Sequence, residues 1–199
     1  MDAVELIALA SSVSLLAGWR LYLVTFVTGL AMKFGWIDLP ERLAALDVLA
    51  NNWLIGIAAA GALAEFFADK IAWVDSAWDA VHSVVRPLGG ALLSLAIVDA
   101  GDPAWQIGSF LLGGGAAFVA HAGKAGARAM VNASPEPFSN IVVSTAEDVA
   151  TGGLLALAIA NPIAAALIAL ILVIASLWLV LSARRMMKRV LDYGKRPAT

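Results

Sequence analysis

The chain has 199 residues, 61% of them apolar and only 14% charged, with a formal net charge of −2 and a mean hydropathy of +0.86. A soluble domain carries about 25% charged residues, so this chain lacks the polar surface needed to cover a core in water. Disorder, a basic nucleic-acid-binding face and an ordinary soluble fold are excluded, and an all-α polytopic integral membrane bundle is expected.

The N-terminal MDAVE is acidic where a cleaved signal peptide has a basic region, so the first apolar stretch is expected to remain in the mature protein. That stretch runs from about Leu6 to Met32, interrupted only by Arg20. It exceeds the roughly 20 residues that one crossing needs. Ser11, Ser12, Ser14 and Gly18 sit where a break is cheap, so it reads as one long or broken helix. The second span covers Asn52 to about Lys70, and the third Pro87 to Val98, beginning as early as Val84. A fourth runs from Trp105 to His121 and onward toward Met130. The two prolines of Ser134–Asn140 (SPEPFSN) forbid a continuing helix, and Ser139 or Asn140 can cap the next. From Val149 to Ala183 no charge occurs, and Asn161-Pro162 divides that run into a fifth and a sixth helix.

Six spans follow, in one membrane domain over residues 1–183 with a basic tail at 184–199. The tail's arginines and lysines place it in the cytoplasm by the positive-inside rule. Counting back puts both termini there, with Lys70, Arg86, Lys124 and Arg128 on the same side. Lys33, Arg42, Asp99 and Asp102 fall outside. Halves of three spans at residues 1–100 and 101–183 would be oppositely oriented, as in inverted-repeat transporters. Gly18-Trp-Arg20 echoes Gly126-Ala-Arg128, and Ala64-Glu65 echoes Ala146-Glu147.

The charges within the spans carry the chemistry. Glu65 and Glu147 are expected roughly 9–10 Å deep from the same side, at 1.5 Å per residue. A carboxylate inside a membrane is costly unless protonated, paired or bound to a cation. Glu65, Asp69, Glu147 and Asp148 are therefore the candidate cation or proton ligands. Arg20, Lys70, Lys124 and Arg128 are the candidate gating or charge-pairing groups. Against this stands a purely structural role, in which the same residues form ion pairs that hold helices together. Asp75, Asp79, His82 and Arg86 recur at steps of four, three and four, which puts them on one face of a helix. His121, Lys124 and Arg128 do likewise. Asp75 and Asp79, with His82, form the alternative metal set: D-x-x-x-D can hold Mg²⁺ against a diphosphate. The second acidic motif of membrane phosphotransferases is missing, as are a P-loop and a G-x-S-x-G elbow.

Taken together, FGWIDLP, EFFADK with VDSAWD, RP-x-GGA, HAGKAGARAMVN, SPEPFSN and AED resemble a family of small bacterial membrane proteins catalogued as domain of unknown function 4126. The resemblance runs from Gly18 to about Leu181 and implies a multi-span inner-membrane protein without assigning an activity. The Glu65–Lys70 string is also similar to the E-x-G-D-K motif of six-helix cation exchangers, with one residue more between its acids.

Three readings stand at this point. The first is a small transporter or channel for a cation, with no cofactor beyond a bound cation. The second is an Mg²⁺-dependent enzyme acting on a lipid-linked phosphate. The third is a scaffold, which requires a basic partner for both Glu65 and Glu147 and no cavity beside them. The expected partners are membrane lipids, a small ion or solute and a second copy of the chain, with no nucleic acid.

Overall fold

A computed structural model describes residues 3–36, 48–98, 101–132 and 138–193. Among these lie six α-helices: α1 (Ala3–Lys33), α2 (Asn52–Ala68), α3 (Ala72–Ile97), α4 (Pro103–Asn132), α5 (Phe138–Ala160) and α6 (Pro162–Tyr193). Three segments, Val4–Lys33, Ala72–Ile97 and Phe138–Ala160, are long and apolar enough to cross a membrane.

Local sequence sets most boundaries. Asn51 caps α2, its side chain accepting from the Trp53 N–H at 2.8 Å. Asn161 caps α6 in the same way, accepting from the Ala164 N–H at 3.0 Å, and Pro162 takes the first helical position, where its missing N–H is harmless. The division expected at Asn161-Pro162 is thus where α5 gives way to α6. Gly35, at φ 66°, lets the Trp36 N–H reach back to the Ala31 carbonyl at 2.7 Å and ends α1.

Several boundaries differ from expectation. The third helix begins at Ala72 and runs through Pro87, so Asp75, Asp79, His82 and Arg86 share one continuous helix with the apolar part. Ser139 and Asn140 lie inside α5 rather than capping it, while Ser134 to Pro137 fall outside the described residues, as do Arg42 and Asp99. The basic segment after Ala183 continues as helix to Tyr193.

The largest difference is in α1. Its serines do not break it: Ser11 and Ser12 bond back to the carbonyls of Ile7 and Ala8, and Ser14 donates to the Gly90 carbonyl of α3 at 2.9 Å. The break is at Arg20, whose backbone is non-helical (φ −142°, ψ 72°).

Contacts on either side of Arg20 run in opposite senses. In the first arm, Ser14 lies at Gly113, Gly18 at Ala117 and Ala120, and the Trp19 carbonyl at Lys124, parallel to α4. In the second, Tyr22 covers Gly61, Gly29 meets Ile55, and Lys33 bonds the Asn52 side chain, antiparallel to α2. Both α2 and α4 run toward the end of the bundle where Asp69 and Arg128 meet. Leu54, Ile57 and Ala58 of α2 share a cavity with Leu92, Leu93 and Ala96, so α2 lies alongside the far half of α3. The chain therefore reverses at Arg20, and α1 is a helical hairpin with that residue at its tip.

The consequence is a change in the count. With α1 entering and leaving at one end, the start of α1 and the end of α6 lie at opposite ends of the bundle. Among the described residues, the expected halves, residues 1–100 and 101–183, hold unequal numbers of helical rods. Hydropathy cannot see a reversal made by one residue, because an apolar hairpin and an apolar rod have the same composition.

The α1 hairpin occupies the centre and packs on all five other helices. Leu9, Val13, Leu16, Ala17 and Val24 are buried against Leu93, Ile97, Leu155 and Ala165. Small residues permit the closest approach: a Cβ on Gly90 would sit 2.5 Å from the Ala117 Cβ and 3.2 Å from the Ser14 carbonyl oxygen. Where apolar surface gains nothing from leaving lipid, such close packing is what holds helices together.

Candidate functional site

Four structural elements deliver charge to the tip of the α1 hairpin: the end of α2, the first half of α3, the second half of α4 and the first half of α5. Because these helices alternate in direction, residues far apart in sequence arrive at one level. Glu65, Asp69, Asp75, Asp79, His82, Arg86, His121, Lys124, Arg128 and Arg20 are all buried there.

Arg20 is the hub. Its guanidinium lies 2.5 Å from Asp69 and 2.9 Å from Asp148, with Glu147 at 3.7 Å. It also donates to the Ser144 carbonyl at 3.1 Å. Lys124 adds a second cation to Asp69 at 2.8 Å and stands 3.8 Å from Glu147. Lys70 completes this group, 3.6 Å from Asp148.

Arg86 organises a second group. It donates to Glu65 at 2.8 Å, to Asp79 at 2.9 Å and to His121 Nδ1 at 2.7 Å. His121 Nδ1 accepts from a guanidinium, so the ring's proton is on Nε2, which donates to Ser83 Oγ at 3.2 Å. Ser83 Oγ donates in turn to the Asp79 carbonyl at 2.9 Å. His82 has the opposite tautomer. Its Nδ1–H donates to the Trp78 carbonyl at 2.7 Å, and its Nε2 accepts from the Tyr22 hydroxyl at 3.1 Å. Its ring stacks on Trp78, 4.4 Å between centroids.

A third group closes the end of the bundle. Arg128 donates to Asp75 at 3.1 Å and to the Asn140 and Asp69 carbonyls, and Asn132 donates to Asp75 at 2.6 Å. The Asp69 carbonyl joins this group to the hub.

The expected gating and pairing residues, Arg20, Lys70, Lys124 and Arg128, all lie in this network. Glu65 and Glu147 reach it as well, but each meets cations: Glu65 has Arg86, and Glu147 has Arg20 and Lys124. The alternative metal set does not converge. Asp75 is taken by Arg128, Asp79 by Arg86 and His82 by Tyr22 and Trp78, and no group of three His, Asp or Glu side chains suited to a metal occurs among the described residues.

Tyr22, Asn132 and Ser144 belong to the network without having been singled out in the sequence, and Asn140, expected only as a helix cap, belongs to it as well. For Asn140, Ser144 and Asp148 a signal existed: steps of four place polar groups on one stripe of an otherwise apolar helix. Tyr22 offered none.

The charges do not balance. Among the described residues, six carboxylates (Glu65, Asp69, Asp75, Asp79, Glu147, Asp148) face five basic side chains (Arg20, Lys70, Arg86, Lys124, Arg128). In a low-dielectric interior a net negative charge is expensive.

A cavity of about 430 Å³ opens beside it, between the second arm of α1 and α2. Arg20, Glu65 and Asp148 line it together with Leu23, Phe26, Ala59, Ala62, Leu63 and Phe66. Glu65 thus has the basic partner that a scaffold requires, and it also has the cavity that a scaffold does not.

Comparison with known proteins gives one family: a protein-family model described as Domain of unknown function (DUF4126) matches residues 7–182. No curated protein and no solved structure matches the chain.

Proposed function

The chain belongs to the DUF4126 family, and from that premise we propose a small membrane transporter for a cation, with the buried carboxylates as cation ligands or proton carriers. The observation that carries this reading is the broken helix. Arg20 interrupts α1 inside the membrane-embedded bundle, at the meeting point of Asp69, Glu147 and Asp148, and a cavity reaches it. Non-helical backbone at membrane depth is tolerated where it is buried in protein or lines a cavity, and discontinuous helices form the ion sites of many transporters.

A purely structural network favours equal numbers of opposite charges, since each unpaired carboxylate costs free energy without return. An excess carboxylate is what a cation- or proton-exchanging site requires. Glu65 and Glu147 then remain the central groups, with Asp69 and Asp148 assisting and Arg20 setting the field at the site.

In this reading the charged end of the bundle faces the cytoplasm of a bacterial inner membrane. Lys70, Lys124, Arg128 and the basic end of α6 lie there, as the positive-inside rule requires. Trp36, Trp53 and Trp105 are exposed near helix ends on the opposite side, at the level of an interfacial belt. The hairpin then places the start of α1 outside and the end of α6 inside.

The test is flux. Purified protein in liposomes carrying an internal pH dye is given Na⁺, K⁺ or proton gradients. Wild type is expected to move a cation or protons, and Glu65→Gln and Glu147→Gln to lower that rate at least tenfold. Absence of wild-type flux of these ions overturns a transporter of inorganic cations or protons; flux unchanged in both variants overturns the carboxylates as its centre.

A further inference from the structure

The cavity at the hairpin tip has an unusual combination of walls. Its sides are apolar and open outward: Leu63 is 62% exposed and Phe66 39%, and both lie on the side of α2 turned away from the bundle. Its inner end is polar, formed by Arg20, Glu65 and Asp148. An inorganic ion needs oxygen ligands around it and gains nothing from Leu23, Phe26, Leu63 or Phe66. A molecule with a charged head and a hydrocarbon body fits both parts.

The sign of the head is set by Glu65. Its side chain is 1% exposed, one carboxylate oxygen is held by Arg86 at 2.8 Å, and the other, Oε2, is buried without a hydrogen-bond partner. An acceptor buried without a donor is costly. The excess of carboxylates over basic side chains among the described residues of the network has the same sign.

We propose that the cavity lined by Glu65, Asp148 and the apolar faces of α1 and α2 binds an amphiphilic organic cation: an ammonium or phosphonium head on a hydrocarbon body, entering sideways from the lipid. This rests on the transporter reading and names the class of its cargo. The head group lies at the polar end of the cavity, toward Glu65 and Asp148, and the body lies between Phe26 and Phe66. Two sources share this chemistry, a soluble lipophilic cation and the ammonium head of phosphatidylethanolamine. Asp148 is partly exposed, at 20%; Arg20 holds its Oδ1 at 2.9 Å, while its Oδ2 has only Lys70, at 3.6 Å.

The experiment is equilibrium binding of radiolabelled tetraphenylphosphonium to the full chain in phosphatidylglycerol nanodiscs, with empty discs subtracted. Saturable binding is expected. Tetramethylammonium, which has no hydrocarbon body, and an uncharged analogue of the same shape should compete at least tenfold more weakly than unlabelled tetraphenylphosphonium. Glu65→Gln should weaken binding at least tenfold. Ala62→Phe, which fills the cavity without touching a charge, should do the same, and it separates occupancy from damage to the network.

Discs containing phosphatidylethanolamine distinguish the sources: suppression of binding assigns the cavity to the lipid's own ammonium head, and unchanged binding assigns it to a soluble cation. Absence of saturable binding, or binding unaffected by Ala62→Phe, overturns the proposal. If Glu65-dependent flux of an inorganic cation is present while tetraphenylphosphonium fails to bind, this inference falls and the transporter stands. Binding without any flux has the opposite meaning: the cavity stands and transport falls.

Discussion

Arg86 gives the sharpest test of the charge network, because it is fully buried and alone holds two carboxylates. Its guanidinium lies 2.8 Å from Glu65 and 2.9 Å from Asp79, and it donates to His121 at 2.7 Å. Arg86→Met keeps most of the side-chain volume and removes the charge. Asp69 in a corresponding deletion of Lys124 would retain Arg20, but among the described residues Glu65 and Asp79 have no second cation within ion-pair distance. Breaking a buried pair from one side costs about 3–5 kcal/mol.

Lys70 is the control. Its side chain is 21% exposed and 3.6 Å from Asp148, so Lys70→Met should cost about 0–1 kcal/mol. Both are measured by titrating the protein from maltoside micelles into SDS and following the fluorescence of its 7 tryptophans. The double variant Arg86→Met with Glu65→Gln removes one of the two stranded charges. It should lie at least about 1 kcal/mol above the sum of the singles, within the range known for contacting residues. An Arg86→Met protein within about 1 kcal/mol of wild type would refute the view that these groups are buried as ions.

Two further predictions concern the hairpin. Gly18→Val should destabilise the protein by about 1–3 kcal/mol in the same SDS titration, since the added carbons meet the Ala117 backbone and the Ala120 side chain, with no flexible neighbour to give way; a cost below about 0.5 kcal/mol would mean the first arm does not lie on α4. The chain has no cysteine, so single cysteines report sidedness cleanly. Val4→Cys, at an exposed position, should react with an impermeant maleimide from the face opposite to that of Arg185→Cys; labelling of both from one face would restore an unbroken α1.

Much of this protein follows from its sequence. The scarcity of charge dictates a membrane bundle of helices, since the backbone in lipid must satisfy its own hydrogen bonds. The steps of three and four among Asp75, Asp79, His82 and Arg86 dictate a shared face, because helical periodicity is local. Asn161-Pro162 ends a helix for reasons contained in those two residues. What the sequence leaves open is partner choice. The spacing of Glu65 and Glu147 suggests two acids meeting one ion, whereas the tertiary structure gives Glu65 to Arg86 and Glu147 to Arg20 and Lys124.

That assignment depends on where the chain turns. The turn at Arg20 comes from one residue's φ and ψ, in a segment whose composition is equally suited to a straight helix. Only contacts between distant segments, with Gly18 on Ala117, Lys33 on Asn52, and Leu54 and Ile57 of α2 sharing a cavity with Leu92 and Ala96 of α3, decide between hairpin and rod. Composition acts through the sum of many residues and is legible in one dimension. A reversal and the charge cluster gathered around it are long-range packing choices, and they exist only in three.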